Sequence, residues 1–233
     1  NHKMQNFDEI IKKFPKKRPD LEEKYKLIFD EWRLLNRNAV GTANTLAAIL
    51  ESWCHKEIAK DKFKGNILEI GAGTLNHVKY EKNFNTYDII EPFEKAYKNS
   101  KYLNKINNIF TNYSEITNKY KKIISIYTFE HMTNLPYEIS EIKKILDKNG
   151  SLHIAIPCEG EFAFKMGWKF TTAIAFKFKY KLDYSVIMKH EHVNTFEEIL
   201  ILLRNYFKKV EVKRNPFILP IKNCSFYAYI KCS

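Results

Sequence analysis

The sequence predicts an α/β fold: a seven-stranded, mostly parallel sheet with an antiparallel last strand, helices on both faces, a helical N-terminal cover and an aromatic insert after strand five. Three observations carry this expectation. From Gly65 onward, short apolar runs alternate with amphipathic segments, the pattern of β-α-β units. The first run, Asn66 to Ile70, opens directly into Gly71-Ala72-Gly73, where a chain can turn sharply at the end of a strand. The last two runs, Lys209 to Arg214 and Ser225 to Lys231, are joined by a short connection through Pro216 and Pro220 that suits an antiparallel edge pair.

In chain order, Phe7 to Lys17 is basic and ends in the Pro15 and Pro19 pair, a short helix or loose arm followed by a break. Asp20 with Glu23 makes a capping box for a helix through Arg37, with Leu21, Tyr25, Ile28, Trp32 and Leu35 at helical spacing. A second helix, about Thr42 to Ala59, carries Leu46, Ile49, Leu50 and Trp53 on one side. These two helices form the cover, residues 1–64. The strands that follow are Asn66 to Ile70, Thr86 to Glu91, Ile106 to Phe110, Lys122 to Tyr127 and Ser151 to Ile156. Between them lie helices near Asn76 to Glu81, Phe93 to Tyr102 and Pro136 to Asp147, the last closed by Asn149-Gly150 as a C-cap. The insert, residues 157–194, is dense in aromatics (Phe162, Phe164, Trp168, Phe170, Phe176, Phe178, Tyr180, Tyr184) interleaved with lysines. A helix from Thr195 to Phe207 precedes the edge pair. Without an internal repeat or low-complexity linker, residues 65–233 and the cover read as one structural domain.

Composition narrows the function classes. With 233 residues and 45% hydrophobic content, the chain can bury a core of its own. No run approaches the ~18 apolar residues of a membrane span, and no apolar stretch with a cleavage site marks secretion. Cys54, Cys158, Cys224 and Cys232 lack metal or dithiol spacing and read as reduced, buried thiols, so the expected location is the cytoplasm. A net charge of +12 admits an anionic partner. However, the excess is nearly all lysine, with arginine only at positions 18, 33, 37, 204 and 214, whereas base and phosphate recognition favour the arginine fork. Nucleic acid is therefore not the expected partner.

The segment Ile67-Leu68-Glu69-Ile70-Gly71-Ala72-Gly73-Thr74-Leu75 is the most informative. In an open parallel sheet, ligands bind beyond the carboxyl ends of the strands where strand order reverses. Gly71 can take the sharp turn and Gly73 lets the backbone approach a ligand. Glu91, closing the next strand, is placed to accept two ribose hydroxyls. A dinucleotide would ask for a third glycine at position 76, where Asn76 stands.

With these residues in view, the chain resembles the class I S-adenosylmethionine-dependent methyltransferases from roughly Asn66 to Lys231. The resemblance implies a Rossmann-like fold and S-adenosyl-L-methionine as cofactor, with S-adenosyl-L-homocysteine as product. It implies that Glu69, Gly71, Ala72 and Gly73 surround the methionine half of the cofactor. Glu91, followed by Pro92, holds the ribose. Asn112 lies near the adenine amino group with Tyr113 as a stacking neighbour. The fourth-strand motif, Ile123 to His131, places Tyr127 and Glu130 at the same edge. The chain departs from the family pattern at Leu75, where many members carry glycine, and at Asn112, where an aspartate is frequent.

On the acceptor side, His131 is the first candidate for a base that takes a proton from an alcohol, with Glu130 beside it as an orienting group or cofactor contact. His192, in His190-Glu191-His192-Val193-Asn194, is the second catalytic candidate. As a metal site this cluster is poor, because two histidines lack a third ligand of clear spacing, and no metal is expected. Glu159 joins it as an acceptor contact. Gly167-Trp168-Lys169, Leu182-Asp183-Tyr184 and Glu191-His192-Val193-Asn194 resemble small methyltransferases of bacterial surface-polysaccharide clusters. That likeness implies O-methylation of a sugar or a phosphoryl-type capsule substituent, whose charge Lys165, Lys169 or Lys177 could neutralise. The alternatives are an RNA or DNA methyltransferase and a cofactor-binding module without activity.

Overall fold

The computed structural model describes residues 2–39, 46–158, 172–215 and 225–233. Its sheet contains β1 (Asn66–Ile70), β2 (Thr86–Ile90), β3 (Ile109–Phe110), β4 (Tyr120–Ile126), β5 (Leu146–Pro157), β6 (Val210–Asn215) and β7 (Tyr227–Cys232), in the order β3-β2-β1-β4-β5-β7-β6. The first five strands pair in parallel, and β7 runs antiparallel to both β5 and β6. This is the expected seven-stranded topology. The described helices are α1 (His2–Ile11), α2 (Glu23–Ala39), α3 (Leu46–Ala59), α4 (Glu94–Tyr97), α5 (Leu135–Ile145), α6 (Thr172–Tyr180), α7 (Tyr184–Glu191) and α8 (Phe196–Tyr206).

The central strands are apolar nearly throughout because both sheet faces are covered. Leu68, Ile70 and Ile123 face α5 and α8, where Ile139, Ile142, Ile199 and Leu203 are buried against them. Ile67, Ile89 and Ile124 face the other way, against Cys54 and Ile58 of α3 and against Leu75 and Val78. Each such side chain contributes about 1.5–3 kcal/mol by burial. A third cluster joins α2, α6 and α7 through Tyr25, Phe176, Tyr184 and Ile187. Cys54, Cys158 and Cys232 are buried thiols, whereas Cys224 lies outside the described residues. Among the described residues, no helix is long and apolar enough to cross a membrane.

Several expected elements differ. The N-terminal segment is helical from His2, and Phe7 packs edge-on against Tyr206 of α8, ring centroids 6.3 Å apart. The Asp20 capping box does not form: α2 opens only at Glu23, because Leu21 is drawn into the core and Glu22 offers its carbonyl to Tyr25 and Lys26. No helix occupies Asn76 to Glu81; turns follow the glycine loop instead, with Leu75 at φ 64° and His77, Val78 and Glu81 buried. The helix expected over Phe93 to Tyr102 is the single turn α4, and the third strand is reduced to Ile109–Phe110. Asn149-Gly150 caps nothing: α5 ends at Ile145, and Leu146 is already extended at the start of β5. Glu159, Lys165 and Gly167-Trp168-Lys169 lie outside the described residues.

Candidate active site

The registers Ile70 with Ile90 and Ile70 with Ser125 bring the carboxyl ends of β1, β2 and β4 to one edge. Strand order reverses between β1 and β4 at that edge, which opens a crevice there. Gly71 turns the chain at φ +69°, and its N–H donates to the Ile90 carbonyl at 2.8 Å. A Cβ there would lie 2.5 Å from the Thr128 hydroxyl, so this glycine is needed for packing as well as for the turn. Gly73, at φ +52°, differs: a Cβ would meet nothing within 4 Å, so the loop borders open space on that side. Such a backbone surface can receive a ligand at close range.

Glu91 reaches back to the same loop. One carboxylate oxygen accepts the Gly73 N–H at 2.8 Å and the other the Phe93 N–H at 3.0 Å. A carboxylate offers about four acceptor sites, so each oxygen keeps capacity for a hydroxyl donor. The open side of Gly73 and this partly engaged carboxylate together fit an adenosyl ligand. Ala72 is buried between them in sequence, and Pro92 is exposed beyond Glu91. Ser100 steadies the loop further, its hydroxyl donating to the Thr74 carbonyl at 2.9 Å.

Glu69 points away from the open side, into the α3 face, where it accepts the Tyr87 hydroxyl at 2.6 Å. Burial pushes its carboxyl up to about 8 against the opposing Tyr87 hydrogen bond, with Glu81 and Glu91 adding to the rise. At neutral pH it is a protonated acid. Asn112 is exposed and caps a short turn, accepting the Ser114 N–H at 3.0 Å. Tyr113 packs against the core on the α5 side with its hydroxyl buried, and Glu138 lies close enough to raise the phenol. The structure thus joins Gly71, Gly73 and Glu91, but it gives the Tyr113 ring to the core.

The chain leaving β4 forms the opposite wall. Tyr127, at φ 53°, donates its N–H to the Ala155 carbonyl and packs on Tyr227, ring centroids 5.2 Å apart. The next turn, Phe129 to His131, buries Glu130 to 2% exposure. Burial pushes the Glu130 carboxyl up to about 8, against a hydrogen bond from its own backbone and helped by Glu191. His131 Nδ1 lies 2.9 Å from the Glu191 carbonyl. A carbonyl only accepts, so the proton sits on Nδ1 and the lone pair of the neutral ring on Nε2. Two carboxyl groups flank the ring, that of Glu191 3.6 Å from Nδ1 and the buried one of Glu130 4.0 Å from Nε2. His192 packs edge-on against His131, centroids 4.7 Å apart, and burial, then His131 and Arg18, hold it well below the usual histidine range. It is therefore a neutral neighbour of His131.

Three residues at this wall carried no earlier assignment. Arg18 donates to the His131 carbonyl at 2.8 Å and to the Glu191 carboxylate at 3.2 Å, tying the arm after α1 to the site. Nothing in the sequence spacing points to so distant a partner. Asn194 donates to the carbonyls of Phe129 and Met132, fixing the His131 turn from the start of α8. Thr128 fills the space that Gly71 leaves.

Sequence comparison decides the family. The model of the methyltransferase domain matches residues 43–198, well over half of the chain. The chain belongs to this methyltransferase family. No curated protein matches the methyltransferase significantly. Its fold is similar to that of a Thermotoga maritima S-adenosylmethionine-dependent methyltransferase, a possible histamine N-methyltransferase (TM-score 0.57, 16% identity, covering 91% of this chain and 99% of that one). It is also similar to the plantazolicin methyltransferase BpumL in complex with a monoazolic desmethylPZN analogue and SAH (TM-score 0.62, 15% identity, all of both chains). A third similar fold is DhpI in a complex with SAM and HEP (TM-score 0.56, 7% identity, 92% of this chain and all of that one). At these identities the likeness is one of fold.

Proposed function

We propose that this S-adenosylmethionine-dependent methyltransferase methylates an oxygen of a small acceptor, a sugar hydroxyl or a phosphoryl-type group of surface polysaccharide such as capsule, with His131 as the base for a hydroxyl. When bound, the donor supplies a methyl group on a positively charged sulfur, so the protein must mainly align the acceptor and manage its proton. The reading rests on the His131 ring: a backbone carbonyl fixes Nδ1 as donor and leaves Nε2 as the basic atom. The Glu191 carboxylate, 3.6 Å from Nδ1, steadies the imidazolium once the proton has arrived.

On the donor side, Glu91 holds the ribose diol with Pro92 behind it, and the turn Gly71-Ala72-Gly73 receives the methionine half. Asn112 serves the adenine edge, and Tyr127 and Glu130 form the wall from β4. His192 positions His131 and is not itself a base, in keeping with its burial.

A second reading is an amine acceptor. The Glu191 carboxylate beside His131 would suit an ammonium group before it loses its proton, and the similar Thermotoga protein bears the name of a possible histamine N-methyltransferase. Mass spectrometry after incubation with S-adenosylmethionine and matched panels of sugar, sugar-phosphate and amine acceptors separates the two readings. Methylation of amines alone would reject the oxygen reading. With a hydroxyl acceptor, His131→Ala should lower turnover at least ~100-fold while S-adenosylhomocysteine affinity measured by calorimetry stays within about twofold. Full activity in that variant removes His131 as the base. Steep loss of activity with salt, paired with RNA retention, would instead favour a nucleic-acid acceptor.

A further inference from the structure

Four buried ionisable side chains on the α3 face take no part in the chemistry above: His55 of α3, His77 and Glu81 of the turns after the glycine loop, and Lys122 of β4. They are 6%, 1%, 8% and 0% exposed. Lys122 Nζ donates to Glu81 Oε1 at 2.6 Å and to the Ile58 carbonyl at 2.9 Å. The same Glu81 oxygen lies 2.9 Å from His77 Nε2, and His77 Nδ1 lies 2.9 Å from His55 Nδ1.

These contacts fix every proton. The Glu81 carboxylate accepts, so neutral His77 carries its proton on Nε2 and a lone pair on Nδ1. His55 must then donate from Nδ1. The result is one directed chain, in which Lys122 and His77 both donate to Glu81 and His55 donates to His77. The ring of Tyr80 stacks on His55 at 5.0 Å and covers its outer side.

Burying an ammonium–carboxylate pair is a poor way to gain stability, because desolvation offsets much of the attraction and apolar replacements are often neutral or better. What such a chain can supply is registration. It ties three segments together, and one of them, Leu75 to Glu81, has no helix to hold its shape. The backbone bonds of that stretch are isolated turn bonds, Leu75 N–H to Ala72 and Tyr80 N–H to His77. His77 follows Gly73 by four residues, so its buried side chain anchors the chain directly after the loop.

We propose that the chain Lys122–Glu81–His77–His55 is the positioning device of the glycine loop, replacing the absent helix and setting the affinity for the methyl donor without acting on the transfer step. The proposal rests on the reading that the loop holds the donor.

The test pairs a charge-free double variant with a milder one. Lys122→Met/Glu81→Leu removes both buried charges together, so the protein should still fold, with a melting temperature lowered only by the loss of partners for the His77 Nε2–H and the Ile58 carbonyl, while the KM for S-adenosylmethionine and the Kd for S-adenosylhomocysteine rise at least tenfold. The kcat at saturating donor should stay within about twofold. His77→Phe keeps the ring volume but cuts the chain, and it should raise the same KM and Kd several-fold; it decides the matter if the double variant does not fold. Donor affinity unchanged in folded variants overturns the proposal, as does a loss of kcat at unchanged KM. Wild-type protein and Gly73→Arg serve as references. If the wild type does not bind S-adenosylhomocysteine, or Gly73→Arg binds it normally, the donor site itself is misplaced. If both references behave and the network variants bind normally, only the positioning role fails.

Discussion

Two glycines two positions apart carry different duties, and a single methyl group separates them. At Gly71 an added Cβ meets Thr128 at 2.5 Å in a left-handed turn. Gly71→Ala should therefore destabilise the fold by roughly 2–4 kcal/mol, from backbone strain plus overpacking. At Gly73 the same methyl enters open space, so Gly73→Ala should cost only about 1 kcal/mol of stability yet weaken S-adenosylhomocysteine binding about tenfold or more. Urea unfolding and calorimetry on both variants check the contrast, and equal stability losses would contradict it. The glycines and Glu91 were legible in the sequence because a strand end, a turn and an acidic residue at the next strand end are all local patterns. The division of labour was not, since it depends on Thr128, which arrives from another strand. The Glu69 carboxyl was legible as a residue but not in its role: only the structure brings the Tyr87 hydroxyl to it.

Among the elements, strands were read more accurately than helices, and the reason is burial. β1, β2 and β4 are covered on both faces, so their apolar runs are unmistakable. The stretch from Asn76 to Glu81 looked like a helix only because a helix commonly follows such a turn; its buried His77 and Glu81 find partners in His55 and Lys122, which no local pattern predicts. Lys122 did leave a trace, as a charged residue two positions from Ile124 and therefore on the same inward face of β4. The arm between α1 and α2 was legible as a break at its prolines, but not as part of the site. Arg18 makes it so, gripping carbonyls of His131 and His190 and the carboxylate of Glu191. Arg18→Ala should lower kcat about tenfold or more with donor affinity unchanged, because three carbonyl or carboxylate partners that fix the His131 turn lose their donor. Arg18→Lys should recover little, since one ammonium cannot reproduce the fork. Steady-state kinetics would contradict this if Arg18→Ala retained wild-type kcat.

For the whole molecule, the buried titratable groups set a stability profile in pH that the +12 net charge alone does not suggest. Burial lowers four histidines: His55 to about 3, His153 to about 4, and His77 and His192 below the usual range. In the unfolded chain they bind protons near pH 6.5, so the unfolded state carries more protons than the folded one below that point, and stability falls on acidification. Two of the buried carboxyls act oppositely. Glu69 and Glu130 titrate near 8 when folded and near 4.3 when unfolded. Across that interval the folded state holds the extra protons, so their contribution, complete at low pH, is lost as pH rises toward 8. Between about pH 4.5 and 6.5 the histidines outnumber these carboxyls, while above 6.5, of these six groups, only the carboxyls still titrate. Ligand-free protein should therefore be most stable near pH 6–7 and lose roughly 2–4 kcal/mol by pH 8.5, well short of the isoelectric point of about 9.3. Urea unfolding across pH 5 to 9 measures the profile, and the double variant Glu69→Gln/Glu130→Gln should flatten its alkaline limb while leaving the acid limb in place. Stability that keeps rising to pH 9 in the wild type, or an unaltered decline in the double variant, would mean that both carboxyls are ionised in the folded protein, and the protonated state assigned to Glu69 beside the Tyr87 hydroxyl would be lost with it.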